Sequence, residues 1–185
     1  MNARRRLLLL APLGVAAVGG TAFWTMLSRM ETGAFNPRGV PSPLIGKPVP
    51  EFALPAQMPD GAGFASADLH AAGRPVLVNF FASWCVPCVI EHPQLMALSR
   101  EGLPIWGIAY KDKPDAAGGF LARHGNPFAR VARDAPGQVA IDWGVYGVPE
   151  SYLVDAHGLI RWRYAGPLTP EIVADQLRPL LRQVA

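Results

Sequence analysis

The sequence predicts an α/β domain with a mixed central sheet flanked by helices, carried behind one N-terminal transmembrane helix. Three observations predict it. From residue 75 onward, short uninterrupted apolar runs alternate with helical segments, the order of buried strands joined by helices. Toward the C-terminus, two strand-like runs follow one another across Ala156-His157-Gly158, which adds an antiparallel hairpin. At the start, Leu7–Leu27 is a 21-residue run without a charged side chain, directly behind Arg4, Arg5 and Arg6.

A helix needs about 20 apolar residues to cross the hydrocarbon core, whereas the apolar stretch of a cleaved signal peptide is shorter. Length therefore favours a retained anchor, although Ala17-Val18-Gly19 has the form of a small-x-small cleavage site. Three arginines precede the run and only Arg29 lies close behind it, so the N-terminus stays in the cytoplasm and the rest is exported. The first thirty residues hold 4 of the 17 Lys/Arg and none of the 14 Asp/Glu, leaving 13 basic against 14 acidic residues beyond them. The sequence pI of 9.1 thus reflects the membrane flank, and the nearly neutral remainder carries no electrostatic footprint for nucleic acid.

Residues 1–30 are accordingly expected to form the anchor, 31–46 a Pro-containing linker and 47–185 the folded domain. Pro37–Pro59 holds 7 prolines in 23 residues, a semi-extended spacer whose later part, Val49–Leu54, contributes an edge strand. Pro75–Ala82 (PVLVNFFA) is apolar at every position but Asn79, the mark of a strand buried on both faces. Residues 86–100 read as a helix with Val89, Ile90, Leu95, Met96 and Leu98 on its apolar side. Pro104–Tyr110 is a second buried strand, 114–124 a helix and Pro127–Asp134 a shorter strand. Ser151–Asp155 and Leu159–Ala165 form the hairpin. Thr169 caps a final helix with Pro170 at its first position and Ile172, Val173, Leu177 and Leu180 on its inner side.

The chain has two cysteines, and both fall in Ser83-Trp84-Cys85-Val86-Pro87-Cys88-Val89-Ile90-Glu91. A C-x-x-C between a buried strand and a helix is a redox signature. The spacing lets the sulfurs reach bonding distance, and the unpaired N–H groups and positive dipole end of the helix stabilise a thiolate at Cys85. Cys88, one turn deeper, becomes the resolving thiol. Exchange then runs by attack of Cys85 on a substrate disulfide and release of the product by Cys88. Two other readings stay open at this point. A purely structural disulfide would close so short a loop that it restrains the unfolded chain little. A metal site on Cys85, Cys88 and His92 would lack a fourth ligand. Covalent haem attachment is excluded, because residue 89 is valine where histidine is required. His70, His124 and His157 stand alone without ligand spacing, and Trp106, Trp143 and Trp162 read as packing residues.

Val78-Asn79-Phe80-Phe81-Ala82-Ser83-Trp84-Cys85-x-x-Cys88 resembles the active site of the thioredoxin superfamily, with Pro93 where that family kinks its helix. Gly147-Val148-Pro149 is similar to the family's cis-proline loop, which faces the dithiol. More narrowly, Gly144-Val145-Tyr146-Gly147-Val148-Pro149-Glu150-Ser151 resembles the G-V-Y-G-x-P-E motif of the cytochrome c maturation thiol:disulfide interchange proteins (CcmG/DsbE type). The resemblance extends from about Lys47 to Leu181.

That resemblance implies a thioredoxin-like fold and a catalytic set of Cys85, Cys88, Glu91 and Glu150, with Cys85 and Cys88 as the redox-active disulfide. Trp84, Tyr146, Val148 and Pro149 would line the substrate groove. Asn79 occupies the place of the family's buried aspartate, so the acid–base work is expected to pass to Glu91 and Glu150, neither of which is expected to anchor the core. No metal and no cofactor is implied. The implied protein is a bacterial inner-membrane, single-pass oxidoreductase facing the periplasm, which reduces apocytochrome c or a maturation dithiol protein. An inner-membrane thiol transporter of the DsbD/CcdA type would re-reduce it. Alternatives are a reductant for another client, such as an oxidase copper site, or a non-catalytic module that binds apocytochrome or haem.

Overall fold

The structure is a computed structural model that describes residues 3–31, 42–58 and 61–184, with side chains over 12–28, 42–58 and 61–184. The chain divides into two compact units, Met1–Val40 and Pro41–Ala185. The first contains one helix, α1 (Ala3–Glu31). The hydroxyls of Thr21 and Thr25 donate to the carbonyls of Ala17 and Ala22 at 2.8 Å, so both polar groups are satisfied within the helix. No helix among the described residues is long and apolar enough to cross a membrane. The expected span 7–27 includes residues 7–11, whose side chains lie outside the described residues. Most of the expected linker, 32–41, also lies outside them.

The second unit is built on a five-stranded mixed sheet in the order β5-β4-β3-β6-β7. The strands are β3 (Val76–Phe81), β4 (Ile105–Tyr110), β5 (Arg130–Asp134), β6 (Glu150–Val154) and β7 (Ile160–Ala165). β3 runs parallel to β4, and β4 to β5, while β6 lies antiparallel to both β3 and β7. The expected hairpin is β6–β7, and it pairs onto the central strand. Ahead of the sheet, β1 (Ala53–Leu54) and β2 (Phe64–Ala65) form a separate two-stranded ribbon, so the expected edge strand pairs locally, with isolated bridges Pro48–Leu159 and Ala56–Ala132 on either side of it. Before that ribbon, Ser42–Lys47 runs as turns and joins β7 through Gly46 N–H to Ile160 O at 2.7 Å.

Each strand sends alternate side chains to opposite faces, and β3 divides the core accordingly. Val76, Val78 and Phe80 enter a layer with Trp106, Ile108, Trp143 and Tyr152. That layer is covered by β1, β2, α2 (Ser66–His70) and α5 (Gln138–Asp142). Leu77 and Phe81 enter the other layer, covered by α3 (Val86–Arg100), α4 (Pro114–His124) and the C-terminal helix. Asn79 shares this second face by parity. α2 and α5 have five residues each, too few for a 3.6-residue period to show. The C-terminal helix starts as expected, with Thr169 Oγ1 accepting from Ile172 N–H at 3.3 Å and Pro170 in its first turn. It then passes from α6 (Pro170–Ile172) through a π-helical turn (Val173–Leu177) into α7 (Arg178–Val184).

The inner side of α3 differs from the expectation. Its buried residues are Cys88, Glu91, His92, Leu95 and Leu98, while Val89 and Ile90 face outward. The apolar stripe misled because two polar residues occupy the inner face near the helix start. Each is satisfied there by a partner distant in sequence.

Candidate active site

β3 delivers the chain to Cys85, which is the N-cap of α3 in extended conformation. Cys85 N–H donates to Ala82 O at 3.2 Å, and the Cys88 N–H lies 3.1 Å from Cys85 Sγ. A first-turn donor, which also reaches Cys85 O at 3.2 Å, therefore lies against the first sulfur, the arrangement that favours a thiolate there. Pro87 sits in the first turn, where no intrahelical N–H is needed. The two cysteines are joined as a disulfide with Cα atoms 5.3 Å apart. In this oxidised form Cys85 is 4% and Cys88 2% exposed, so accessibility alone does not separate the two. The N-cap position and the Cys88 N–H do.

The register of the sheet brings the proline loop to the same end. Phe80 pairs with Glu150, so Pro149, which follows a cis Val148–Pro149 bond, stands beside the last residues of β3. Val148 packs against the apolar cluster that contains Cys85 and Cys88. Around this corner Trp84 is 59% and Tyr146 56% exposed, and Val86 and Ile90 are exposed as well. Of the four expected groove residues, Val148 packs beside the dithiol cluster, while Trp84 and Tyr146 are exposed and lie against separate partners. Trp84 leans toward Tyr110, with ring centroids 6.5 Å apart.

The two expected carboxylates are both fully buried but differ in environment. Glu91 points inward from α3, where Oε1 accepts from the Asn79 side-chain amide and Oε2 from Leu168 N–H, both at 2.9 Å. Asn79 also donates to Ser151 Oγ at 3.0 Å. No cation pairs with Glu91 in these contacts, and burial outweighs the two hydrogen bonds to push its carboxyl up to about 7. Its charge adds to burial in raising the Tyr164 hydroxyl on β7. Glu150 is ion-paired instead: its Oε1 accepts from Arg163 Nε, and the Tyr152 hydroxyl lies 2.6 Å from the same oxygen. The Arg163 guanidinium also lies over the Tyr146 ring, 4.8 Å from its centroid.

This arrangement corrects the expectation that neither glutamate anchors the core. Glu150, Arg163 and Tyr152 form one buried polar unit between β6 and β7. Arg163 and Tyr152 went unnoticed in the sequence; the only available signal was an arginine at an inward position of a strand. His92, the third member of the alternative metal set, turns its Nε2 to the Gly125 carbonyl at 3.0 Å. No group of three ligating side chains occurs among the described residues.

A C-x-x-C disulfide at a helix N-terminus, beside a cis-proline on the neighbouring strand of a thioredoxin-like sheet, defines a thiol:disulfide oxidoreductase. The chain belongs to the Redoxin family, which it matches over residues 44–177. It is 44% identical over 150 residues to the thiol:disulfide interchange protein HelX of Rhodobacter capsulatus, covering 81% of this chain and 84% of that one. To the thiol:disulfide interchange protein DsbE of Escherichia coli K12 it is 37% identical over 177 residues, covering 96% and 94%. Among solved structures it is similar to a thiol:disulfide interchange protein of the thioredoxin family from Chlorobium tepidum. That likeness has a TM-score of 0.59 and 26% identity, over 74% of this chain and 94% of the other.

Proposed function

We propose that this oxidoreductase acts as a reductant in cytochrome c maturation, opening the disulfide of an apocytochrome C-x-x-C-H segment or of a partner dithiol protein. Cys85 thiolate attacks one client sulfur, the client disulfide breaks and a mixed disulfide forms. Cys88 passes its proton to the Glu91 carboxylate and attacks Cys85 Sγ. The client leaves with both sulfurs reduced, and Cys85–Cys88 is left oxidised. A thiol transporter in the inner membrane returns the two electrons. Trp84, Tyr146, Val148 and Pro149 form the groove that receives the client.

The observation that carries this reading is Glu91: a buried carboxyl near 7, one helical turn beyond the resolving cysteine, is suited to take that proton at neutral pH. The client is supported by the Gly144–Ser151 motif and its resemblance to the maturation proteins. Localisation on the periplasmic side, with residues 7–27 as a retained anchor, is supported by the uncharged run behind three arginines. Exposed Leu13, Val15, Val18, Phe23 and Trp24 on α1 add to it, since these are side chains a hydrocarbon phase would cover.

Reduced protein mixed with an oxidised Cys-x-x-Cys-His peptide should yield the peptide dithiol and the Cys85–Cys88 disulfide in equal amounts. Peptide binding without electron transfer would favour the non-catalytic alternative. Equal reduction of peptides with and without the histidine would remove the support for an apocytochrome client.

A further inference from the structure

One buried carboxylate near the dithiol has no part in the chemistry above. β4 ends at Tyr110, and Lys111 then adopts a φ of 46°, in the left-handed region that non-glycine residues seldom occupy. That turn carries Asp112 to the neighbouring loop, the Ala82–Trp84 segment between β3 and Cys85. Oδ2 of Asp112 accepts from Ser83 N–H at 2.5 Å, and Oδ1 accepts from the Ser83 hydroxyl and from Lys113 N–H, each at 2.8 Å. Asp112 is 7% exposed, so these are hydrogen bonds to a charged acceptor sheltered from water, stronger than neutral ones. The parallel register Phe81–Ala109 sets the two loops side by side. The Trp84–Tyr110 ring contact joins the same pair of strand ends.

We propose that Asp112 is the positioning residue of the dithiol: its carboxylate clamps Ser83 so that Cys85 is held at the end of α3 with its sulfur against the Cys88 N–H. The disulfide itself fixes this geometry in the oxidised protein. Once it is reduced, the segment ahead of Cys85 loses that tether, and the Ser83–Asp112 bonds are what keep the N-cap in place. The strained turn at Lys111 is then the local cost of bringing the carboxylate under Ser83. The ionisable groups nearest in the chain and fold are Cys85 and Cys88 at the start of α3, Tyr110 at the end of β4, Lys111 and Lys113 on either side of Asp112, and Asp134 at the end of β5, whose carbonyl accepts from Lys111 N–H. Lys111 is engaged elsewhere: its Nζ lies 5.2 Å over the Tyr110 ring, and its N–H donates to Asp134 O.

The inference deepens the proposed thiol chemistry and rests on Cys85 as the attacking thiol. The test is the rate of iodoacetamide alkylation at each cysteine of the fully reduced, full-length protein, measured against pH for the parent, Asp112→Asn and Ser83→Ala. Asp112→Asn removes the charge and sets an amide N–H against a backbone N–H. Ser83→Ala keeps the charge and the backbone bond but loses the hydroxyl arm. A clamp predicts slower Cys85 labelling near neutral pH in Asp112→Asn, by about two- to fivefold, the range a charge at a helix end spans. Ser83→Ala should shift the same way by less. Faster labelling in Asp112→Asn with Ser83→Ala unchanged would mean that the carboxylate acts only as a repelling charge, and the clamp would be refuted. Unchanged profiles in both, with a lower melting temperature, would reduce Asp112 to a structural strut and refute it equally. Preferential labelling of Cys88 in the parent is a separate result, and it defeats the nucleophile assignment instead.

Discussion

The side-chain amide of Asn79 donates to Glu91 Oε1 across 2.9 Å, in the interior between β3 and α3. The strand thus supplies a neutral donor and the helix the carboxyl. Because the donor is neutral, it supports the Glu91 charge without cancelling it. The carboxyl therefore stays close to the pH at which proton transfer is useful.

Glu91 makes stability depend on pH with a definite sign. Its carboxyl is raised from 4.5 to about 7 in the folded protein, so the native state binds this proton more tightly than the unfolded chain. The resulting contribution is fully present below about pH 4.5 and is lost as pH rises through about 7, on the order of 3 kcal/mol. Glu91→Gln should lack that slope and be more stable than the parent above pH 7. The fold should survive, since Asn79 Oδ1 has no hydrogen bond among the described residues and inversion of its amide offers Gln an acceptor. Denaturant midpoints from pH 4 to 9 test this; parallel curves for parent and variant would refute it.

The same substitution should slow disulfide reduction near neutral pH and flatten its rise through about pH 7, within the roughly 10²–10⁴-fold that positioned proton transfer contributes. Single-turnover reduction against pH is the measurement. A variant profile that superimposes on the parent would leave Glu91 no role as proton carrier.

Glu150 and Arg163 should behave as a structural pair. Removing one member of a buried ion pair leaves the other uncompensated, at a cost of about 3–5 kcal/mol. Glu150→Gln and Arg163→Met are each expected to destabilise the domain strongly, and the double variant by less than their sum. Additive losses in the cycle would show that the contact contributes nothing of its own. Loss of Arg163 also removes the guanidinium from over the Tyr146 ring, so client affinity should fall with it.

Cys85 should be alkylated faster than Cys88 in the reduced parent, because the helix N–H groups stabilise its thiolate. Cys88→Ser should accumulate a mixed disulfide through Cys85. Trapping only in Cys85→Ser would reverse the assignment.

If residues 7–27 form a retained anchor, the mature chain will begin near Met1 and resist alkaline extraction from membranes. An N-terminus found between residues 20 and 30 by mass spectrometry would show cleavage instead, and would leave the redox chemistry standing.

Much of the fold was legible because its signals are local. A β-branched and aromatic run such as Val76–Phe81, apolar but for Asn79, favours a buried strand, and Thr169-Pro170 announces a helix start whatever lies nearby. The dithiol was legible for the same reason, since spacing and a helix N-terminus suffice to name it. The helices α2 and α5 were not, because five residues complete little more than one turn. The inner face of α3 was misread at Val89 and Ile90 because an apolar pattern marks a buried face only where that face is apolar.

By itself, then, the sequence determined the order of the five sheet strands and the longer helices, the mixed sheet and the redox pair, while the proline loop came from the family resemblance. Only the tertiary structure decided which polar groups are buried and with what. Glu91 meets Leu168, 77 residues away; Glu150 meets Arg163 across a strand pair; Ser83 meets Asp112 across two loops. The physical reason is that a carboxylate's ionisation and role depend on its desolvation and its partners, and packing brings those partners from elements far apart in the chain. Two glutamates that read alike in the sequence thereby become a candidate proton carrier and half of an ion pair.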